Sequence, residues 1–376
     1  MKQSGKSDKS GLSEAVGILR SIAVHSLARM YRPEEKLFAF RLRKNQREEV
    51  LEGISRRYTA IVLMALAGED QQIVSEVLQK HNMQDVCDRL LVDCGQSREL
   101  GEVALTAWAA RVLRHKDAHK AVAVLKLTEP AKGIYRTVEL SWALTALVAG
   151  DGEPAEPALA KEIADTLIAS FNRQSAIFPH APKRKGLSTL RSHVSCFADF
   201  VYPIQALSFY YQSTGDSRAA EIACACAEKM CELQGPQGQW WWHYDVRTGR
   251  VVERYPVYSV HQDSMTPMAL SALANACGKD YPQTVEKSLN WLKNPPELQD
   301  SLIDRKRNII WRKIARREPF KLVRKIQASV SYLHPAFRAP GMDTLFPPVS
   351  IDYESRPYHM GWILYAWPDE HLTRDK

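Results

Sequence analysis

The stretch QGQWWWHYDVRTGRVVERYPVYSVHQDSMTPMAL, from Gln237 to Leu270, gathers three tryptophans, two histidines, three tyrosines and two aspartates around a short glycine-containing turn. Carboxylates beside imidazoles are the residue types of general acid/base catalysis once burial separates their pKa values. Aromatic faces suit the C–H faces of sugar rings, and equally apolar or cationic intermediates. Asp263, His261, Asp199 and Asp245 are the leading acid/base candidates, with Glu139 and His359 next. Trp241, Trp242, His243, Tyr244, Tyr255, Tyr258, Gln262, Tyr202, His193 and Tyr353 are expected to contact a substrate, and Arg57, Arg136 and Arg356 to hold its carboxylates or diphosphate. A plainer role competes for the aspartates. Asp199 and Asp263 each stand four residues before a proline, where an aspartate can simply cap a helix. A single histidine is usually structural, but five (180, 193, 243, 261 and 359) fall in turns or just ahead of helical segments.

These positions recur because the chain repeats a phrase. YTAIVLMALAGED ends at Asp70, VALTAWAARVLRHKD at Asp117, ELSWALTALVAGD at Asp151, YPIQALSFYYQSTGD at Asp216 and TPMALSALANACGKD at Asp280; YHMGWILYAW closes the series at Trp367. Each phrase is apolar nearly all round, as a helix buried on most faces must be. Gly68, Gly150, Gly215 and Gly278 supply left-handed residues that end these helices, and the aspartates can cap the next. Amphipathic segments lie between them, at 71–80, 155–171, 218–233 and 283–293. Asp199-x-x-x-Pro203 and Asp263-x-x-x-Pro267 are offset by the same 64 residues as Asp216 and Asp280, with each proline placed in a first helical turn. Alternating buried and half-buried helices predict an all-α fold, an (α/α)6 toroid with inner and outer rings. One domain is expected over 11–376, after a disordered basic tail at 1–10, with a basic amphipathic insertion over 295–350 ahead of the last inner helix.

CELQGPQGQW, with Gln234, Gly238 and Trp240, resembles the Q-x(2–5)-G-x-W repeat of terpenoid cyclases and related α/α toroids, and SLNWLKN at 288–294 is similar to the outer-helix half of that repeat. The resemblance covers about 200–300 and implies architecture, with Gln and Trp tying an outer helix to the turn that follows. It does not extend to cyclase chemistry: no D-x-D-D or D-D-x-x-D is present, and the one D-x-C, at Asp85 and Cys87, falls in the outer part of an early repeat. No convergent His/Cys spacing marks a zinc site, so neither a metal nor another cofactor is expected.

Composition sets the remaining bounds. A hydrophobic content of 45% and a charged content of 25% are those of a globular protein. Seven cysteines without paired spacing read as reduced thiols in a cytosolic setting. The N-terminal apolar run is broken by Glu14, Arg20 and His25, unlike a signal peptide. The charge is concentrated: 305–325 carries ten Lys/Arg against Glu318, a net of nine positive charges in a chain whose total is +8. Apolar residues at helical spacing within 305–317, followed by Pro319, predict two short basic helices, able to lie on an anionic membrane surface or, equally, to dock on the toroid as a solvated insertion. Nucleic acid is not expected, because no recognition module accompanies the patch. The sequence therefore predicts a cytoplasmic enzyme, peripheral at the inner membrane face, acting on an acidic or lipid-linked glycan by hydrolysis, elimination or epimerisation. The alternatives are an isoprenoid-modifying toroid and a non-catalytic scaffold in a polysaccharide or lipid assembly complex.

Overall fold

Ala- and Leu-rich phrases that lack polar stripes must bury both faces, and the structure places them accordingly. The computed structural model describes residues 4–45, 48–150, 153–182 and 191–369. Its helices are α1 (Ser4–Met30), α2 (Arg56–Leu66), α3 (Gln71–Leu78), α4 (Met83–Val92), α5 (Leu100–Val112), α6 (Ala118–Leu127), α7 (Thr137–Val148) and α8 (Pro157–Ser170). They continue as α9 (Ala198–Thr214), α10 (Ser217–Glu232), α11 (Thr266–Cys277), α12 (Pro282–Lys293), α13 (Leu322–Leu333), α14 (Met342–Leu345) and α15 (Pro357–Ala366). The six apolar phrases are α2, α5, α7, α9, α11 and α15, and each packs on the next until α15 closes on α2. Outside them, α1 packs on α15, α4 on α2 and α5, α6 on α5, α8 on α7, and α10 on α9 and α11. The chain is an (α/α)6 toroid.

The helix stops work as their residues require. Gly215 and Gly278 are left-handed, at φ +73° and +69°. Asp70 and Asp216 accept from the backbone N–H groups of Ile73 and Arg218. Asp151 lies outside the described residues, as do residues 1–3 of the expected tail; α1 begins at Ser4 and so runs through the rest of that segment. Pro203 differs from expectation. It sits inside α9, which starts at Ala198, and removes the bond its nitrogen would make to the Asp199 carbonyl. Pro267 does lie in the first turn of α11, after a π-helical turn over His261–Met265.

The Gln–Gly–Trp segment is an architectural tie. Gln234 Nε2 donates to the carbonyls of Gly238 and Thr284, both at 2.9 Å, and Trp240 Nε1 donates to Ser288 Oγ at 2.9 Å. Gly238 has φ +99°, and a Cβ there would fall 2.1 Å from the Lys287 carbonyl oxygen. The connection from α10 is thereby fastened to α12.

The insertion is not built as expected. Ile303–Asp304 and Ile309–Ile310 form a hairpin, and Lys313–Ala315 is the middle strand between Val257–Tyr258 and Ser350–Asp352. Ile309, Ile310, Trp311 and Ile314 are all buried. Three consecutive buried residues fit a β-branched segment inserted between neighbours, not the single stripe of a surface helix. Its cations also find acids that are distant in sequence. Arg312 meets Glu354 at 3.2 Å, Lys313 meets Asp352 at 2.9 Å, and Arg316 meets Glu253 at 2.9 Å and Asp343 at 2.7 Å. Only the second half, α13, is helical. Among the described residues, no helix is long and apolar enough to cross a membrane.

Candidate active site

The inner helices run in parallel, so their first turns share one rim. Direct contacts show it: the rings of Tyr58 and Tyr358 lie 4.8 Å apart, those of Trp142 and Tyr202 5.1 Å, and those of Phe197 and His261 4.5 Å. Below the rim the barrel is filled. Trp108, Trp362 and Tyr365 pack against one another, and Trp362 Nε1 donates to the Tyr202 hydroxyl at 3.1 Å. The polar candidates lie instead at the N-terminal end of the inner ring, where helix termini also favour anions.

Two Asp–His pairs stand there, each on a buried aspartate; His359 is buried as well, while His180 is partly exposed. Asp199, in the first turn of α9, is fully buried. Its Oδ2 accepts from His180 Nδ1 at 3.0 Å, Ser195 Oγ at 3.1 Å and the Cys196 N–H at 2.9 Å. It therefore caps backbone and holds an imidazole at once. The His180 pKa is raised, because the Asp199 carboxylate outweighs burial and the nearby Arg136 and Arg191. Asp263, in the π-helical turn before α11, is equally buried and places both oxygens 2.9 and 2.8 Å from His359 Nε2. Carboxylates only accept, so His180 Nδ1 and His359 Nε2 carry the donated protons. The opposite ring nitrogen of each is the one that can exchange a proton with a ligand.

His261 differs. Burial, then His359 and Arg312, push its pKa down to about 3, so it is neutral at physiological pH, and its buried Nδ1 has no hydrogen-bond partner. Burial with Arg191, Arg324 and His180 likewise pushes His243 well below the usual imidazole range. Tyr258 lies 5.0 Å from the His261 ring and 5.8 Å from Trp242, with Arg312 over its face at 5.2 Å; burial pushes its hydroxyl up to about 12. Arg356 donates to the Tyr58 hydroxyl at 2.7 Å and pairs with Glu354. Burial acts to raise the Glu354 pKa, but Arg312 and Arg356 outweigh it and hold the carboxyl below its usual range.

The rim thus gathers Asp199, Asp263, His261, His359, Tyr258, Trp242, His243, Tyr202, Arg57, Arg136, Arg356 and Glu139. Glu139 already has work, accepting from the Arg136 N–H at 3.1 Å and lying 3.7 Å from Arg57, so it closes the start of α7. Other candidates are corrected. Asp245 is sealed by three donors of Arg247, which also reaches the carbonyls of Ser331 and Tyr332 on α13. Tyr244 is buried and donates to the Trp241 carbonyl, and Gln262 accepts from the Trp240 N–H while donating to the Tyr258 carbonyl. Trp241 is buried edge-to-face against Tyr255, whose hydroxyl donates to Glu297. His193 Nε2 bonds Ser331 Oγ at 2.8 Å and ties its strand to α13. Tyr353 lies elsewhere, in an outer groove of about 710 Å³ with Lys44 and Trp311. Each of these residues is polar or aromatic for a local reason that spacing cannot reveal.

His180 enters the centre from outside the leading candidates, Arg324 was legible only as one cation of the basic stretch, and Arg191 and Cys196 carried no sequence signal. The thiol of Cys196, the His180 imidazole and the Asp199 carboxylate have ligand-type atoms within 4.8 Å of one another, a donor set that zinc can use. Three hydrogen bonds already converge on Asp199 Oδ2.

No protein-family model and no curated protein sequence matches the chain. Solved structures do. An unsaturated glucuronyl hydrolase specific for heparin aligns with TM-score 0.59 at 14% identity, covering 96% of both chains. The cellobiose 2-epimerase of Bacillus thermoamylovorans B4167 aligns with TM-score 0.58 at 9% identity, covering 92% of this chain and 95% of its own. A sugar epimerase from a ruminal bacterium aligns with TM-score 0.59 at 9% identity, covering 96% and 99%. This chain has the fold of those toroids. At such identities the likeness is one of architecture, and the chemistry must be argued from the site.

Proposed function

We propose that this protein is a carbohydrate-active enzyme whose active site is the N-terminal rim of the inner ring, and that it moves protons at a sugar carbon. The observation that carries this is the pair of Asp–His couples built on buried aspartates, His180–Asp199 and His359–Asp263. Hydrolysis by two carboxyl groups needs both to face the glycosidic bond. Here each carboxylate holds an imidazole, Asp199 through Oδ2 with its buried Oδ1 unpartnered, and on this reading the imidazoles meet the substrate.

His180, whose pKa the Asp199 carboxylate raises, serves as the acid. His359, oriented through Nε2 by Asp263, serves as the base through Nδ1. The base takes a proton from a carbon next to a carbonyl or carboxylate. The acid then delivers a proton either to the opposite face of that carbon, which is epimerisation, or to a departing oxygen, which is elimination. The neighbours include a glycan hydrolase and two epimerases, in keeping with a sugar substrate. The test is incubation with candidate saccharides and uronates in deuterium oxide, read by NMR. Deuterium at a ring carbon or a new C=C bond supports the reading; glycosidic cleavage with neither overturns it.

A membrane-facing, lipid-linked version of this substrate rests on Phe320, 90% exposed, with Arg317, Lys321 and Lys325 exposed around it.

A further inference from the structure

One corner of the rim holds two arginines that no carboxylate pairs with among the described residues. Most arginines near the site are spoken for: Arg57 by Glu99, Arg312 and Arg356 by Glu354. Arg191 and Arg324 differ. Among the described residues, no carboxylate pairs with either, and the buried Nε of Arg324 has no hydrogen-bond partner. Their surroundings fix where they stand. Arg191 leads into the strand Val194–Cys196, whose Cys196 pairs with His243. Arg324 projects from α13, and its guanidinium carbon sits 5.1 Å from the centre of the Trp242 ring. Trp242 in turn stacks on His243, with centroids 3.9 Å apart and planes at 22°. The helix is locked in this register because Ser331, seven residues and about two turns further on the same face, bonds His193.

The contact with Trp242 is a cation–π one, which uses the charge of the guanidinium without taking up its N–H groups, so these can still bond a planar, bidentate partner. Burial and the neighbouring Arg324 push the Arg191 pKa down, as expected of two cations held together without an anion.

We infer that Arg191 and Arg324 form a clamp for the anionic group, carboxylate or phosphate, of the sugar that binds this rim, with Trp242 holding the Arg324 guanidinium in place. The insertion then has a task different from surface binding: its α13 delivers one jaw of the clamp. This inference rests on the reading of the rim as a sugar site, and the experiment separates the two.

Calorimetric titration of the full chain uses four probes: D-glucuronate, glucose 6-phosphate, D-glucose and inorganic phosphate. The proteins are the parent, Arg324→Gln, Arg191→Gln, Arg324→Lys and, as a remote control, Lys306→Gln, with melting curves to confirm folding. At least one anionic sugar should bind more tightly than glucose. That affinity should fall about 10- to 100-fold in each Gln variant, the range for a hydrogen bond to a charged group, and less in Arg324→Lys. Lys306→Gln should match the parent. Glucuronate alone identifies a carboxylate site and glucose 6-phosphate alone a phosphate site. Inorganic phosphate binding as tightly as the sugars, with the same loss in the variants, keeps the clamp but removes the sugar reading. If no anionic probe binds, or if folded Gln variants bind as the parent does, the clamp is refuted.

Discussion

Asp199→Asn isolates the acid of the proposed mechanism. The change is nearly isosteric, and an amide oxygen can still accept from Ser195 Oγ and the Cys196 N–H, so the start of α9 should hold. What disappears is the charge facing His180 Nδ1 at 3.0 Å. The His180 pKa is raised chiefly by that carboxylate; burial, Arg136 and Arg191 all act in the opposite direction. Removing the carboxylate leaves only the lowering influences, so the pKa of His180 should fall below the ordinary 6.5. An acid works only while protonated, and its activity is lost as pH rises through its pKa. The descending limb of kcat/KM should therefore move to lower pH in the variant. A hydrogen bond between an imidazolium and a carboxylate is worth about 1.5–3 kcal/mol. His180 is partly exposed, which argues for the lower half of that range. About 2 kcal/mol corresponds to a rate loss of roughly 30-fold on the alkaline side, shrinking as pH falls. Stability carries the same sign. A raised histidine pKa contributes fully below the unfolded value and is lost as pH rises through the folded one, so the Tm gap between parent and variant should be widest near pH 5 and close above neutrality. Rate–pH profiles and melting curves from pH 5 to 9 decide it. A limb that stays in place, or a loss equal at every pH, refutes the role of His180.

Arg316→Met should destabilise the fold by about 3–5 kcal/mol, because Glu253 is left as a buried, unpaired carboxylate; urea titration should show much of this recovered in Arg316→Met/Glu253→Gln. Dialysis against a chelator should leave turnover unchanged if His180 and Asp199 act as an acid pair; lost activity restored by zinc would assign His180, Cys196 and Asp199 to a metal instead. Flotation with phosphatidylglycerol vesicles should recover the protein at low salt and lose most of it in Phe320→Ser; absence of binding by the parent would remove the membrane-facing version of the substrate.

The six apolar phrases, their glycine stops and the Gln–Gly–Trp tie were legible in the sequence because they depend on neighbours within a helix turn or on one adjacent hairpin. The rim was legible as well, since a repeated phrase must put its starts on one face. Whether a given polar residue at that rim was free or occupied could not be read, because its partner comes from far along the chain. Asp263 is paired across 96 residues with His359, and Asp199 across 19 with His180; Asp245 is the exception, bonded directly by Arg247 two residues on. The same distance hid the insertion: Ile310, Trp311 and Ile314 carry helical spacing, but strands at Val257 and Ile351 claim the backbone and acids elsewhere claim the cations. Short-range patterning determined the rings and their common face. Only tertiary packing decided which imidazoles meet which carboxylates, and left Arg191 and Arg324 without one among the described residues, because charge pairing is set by distance in space.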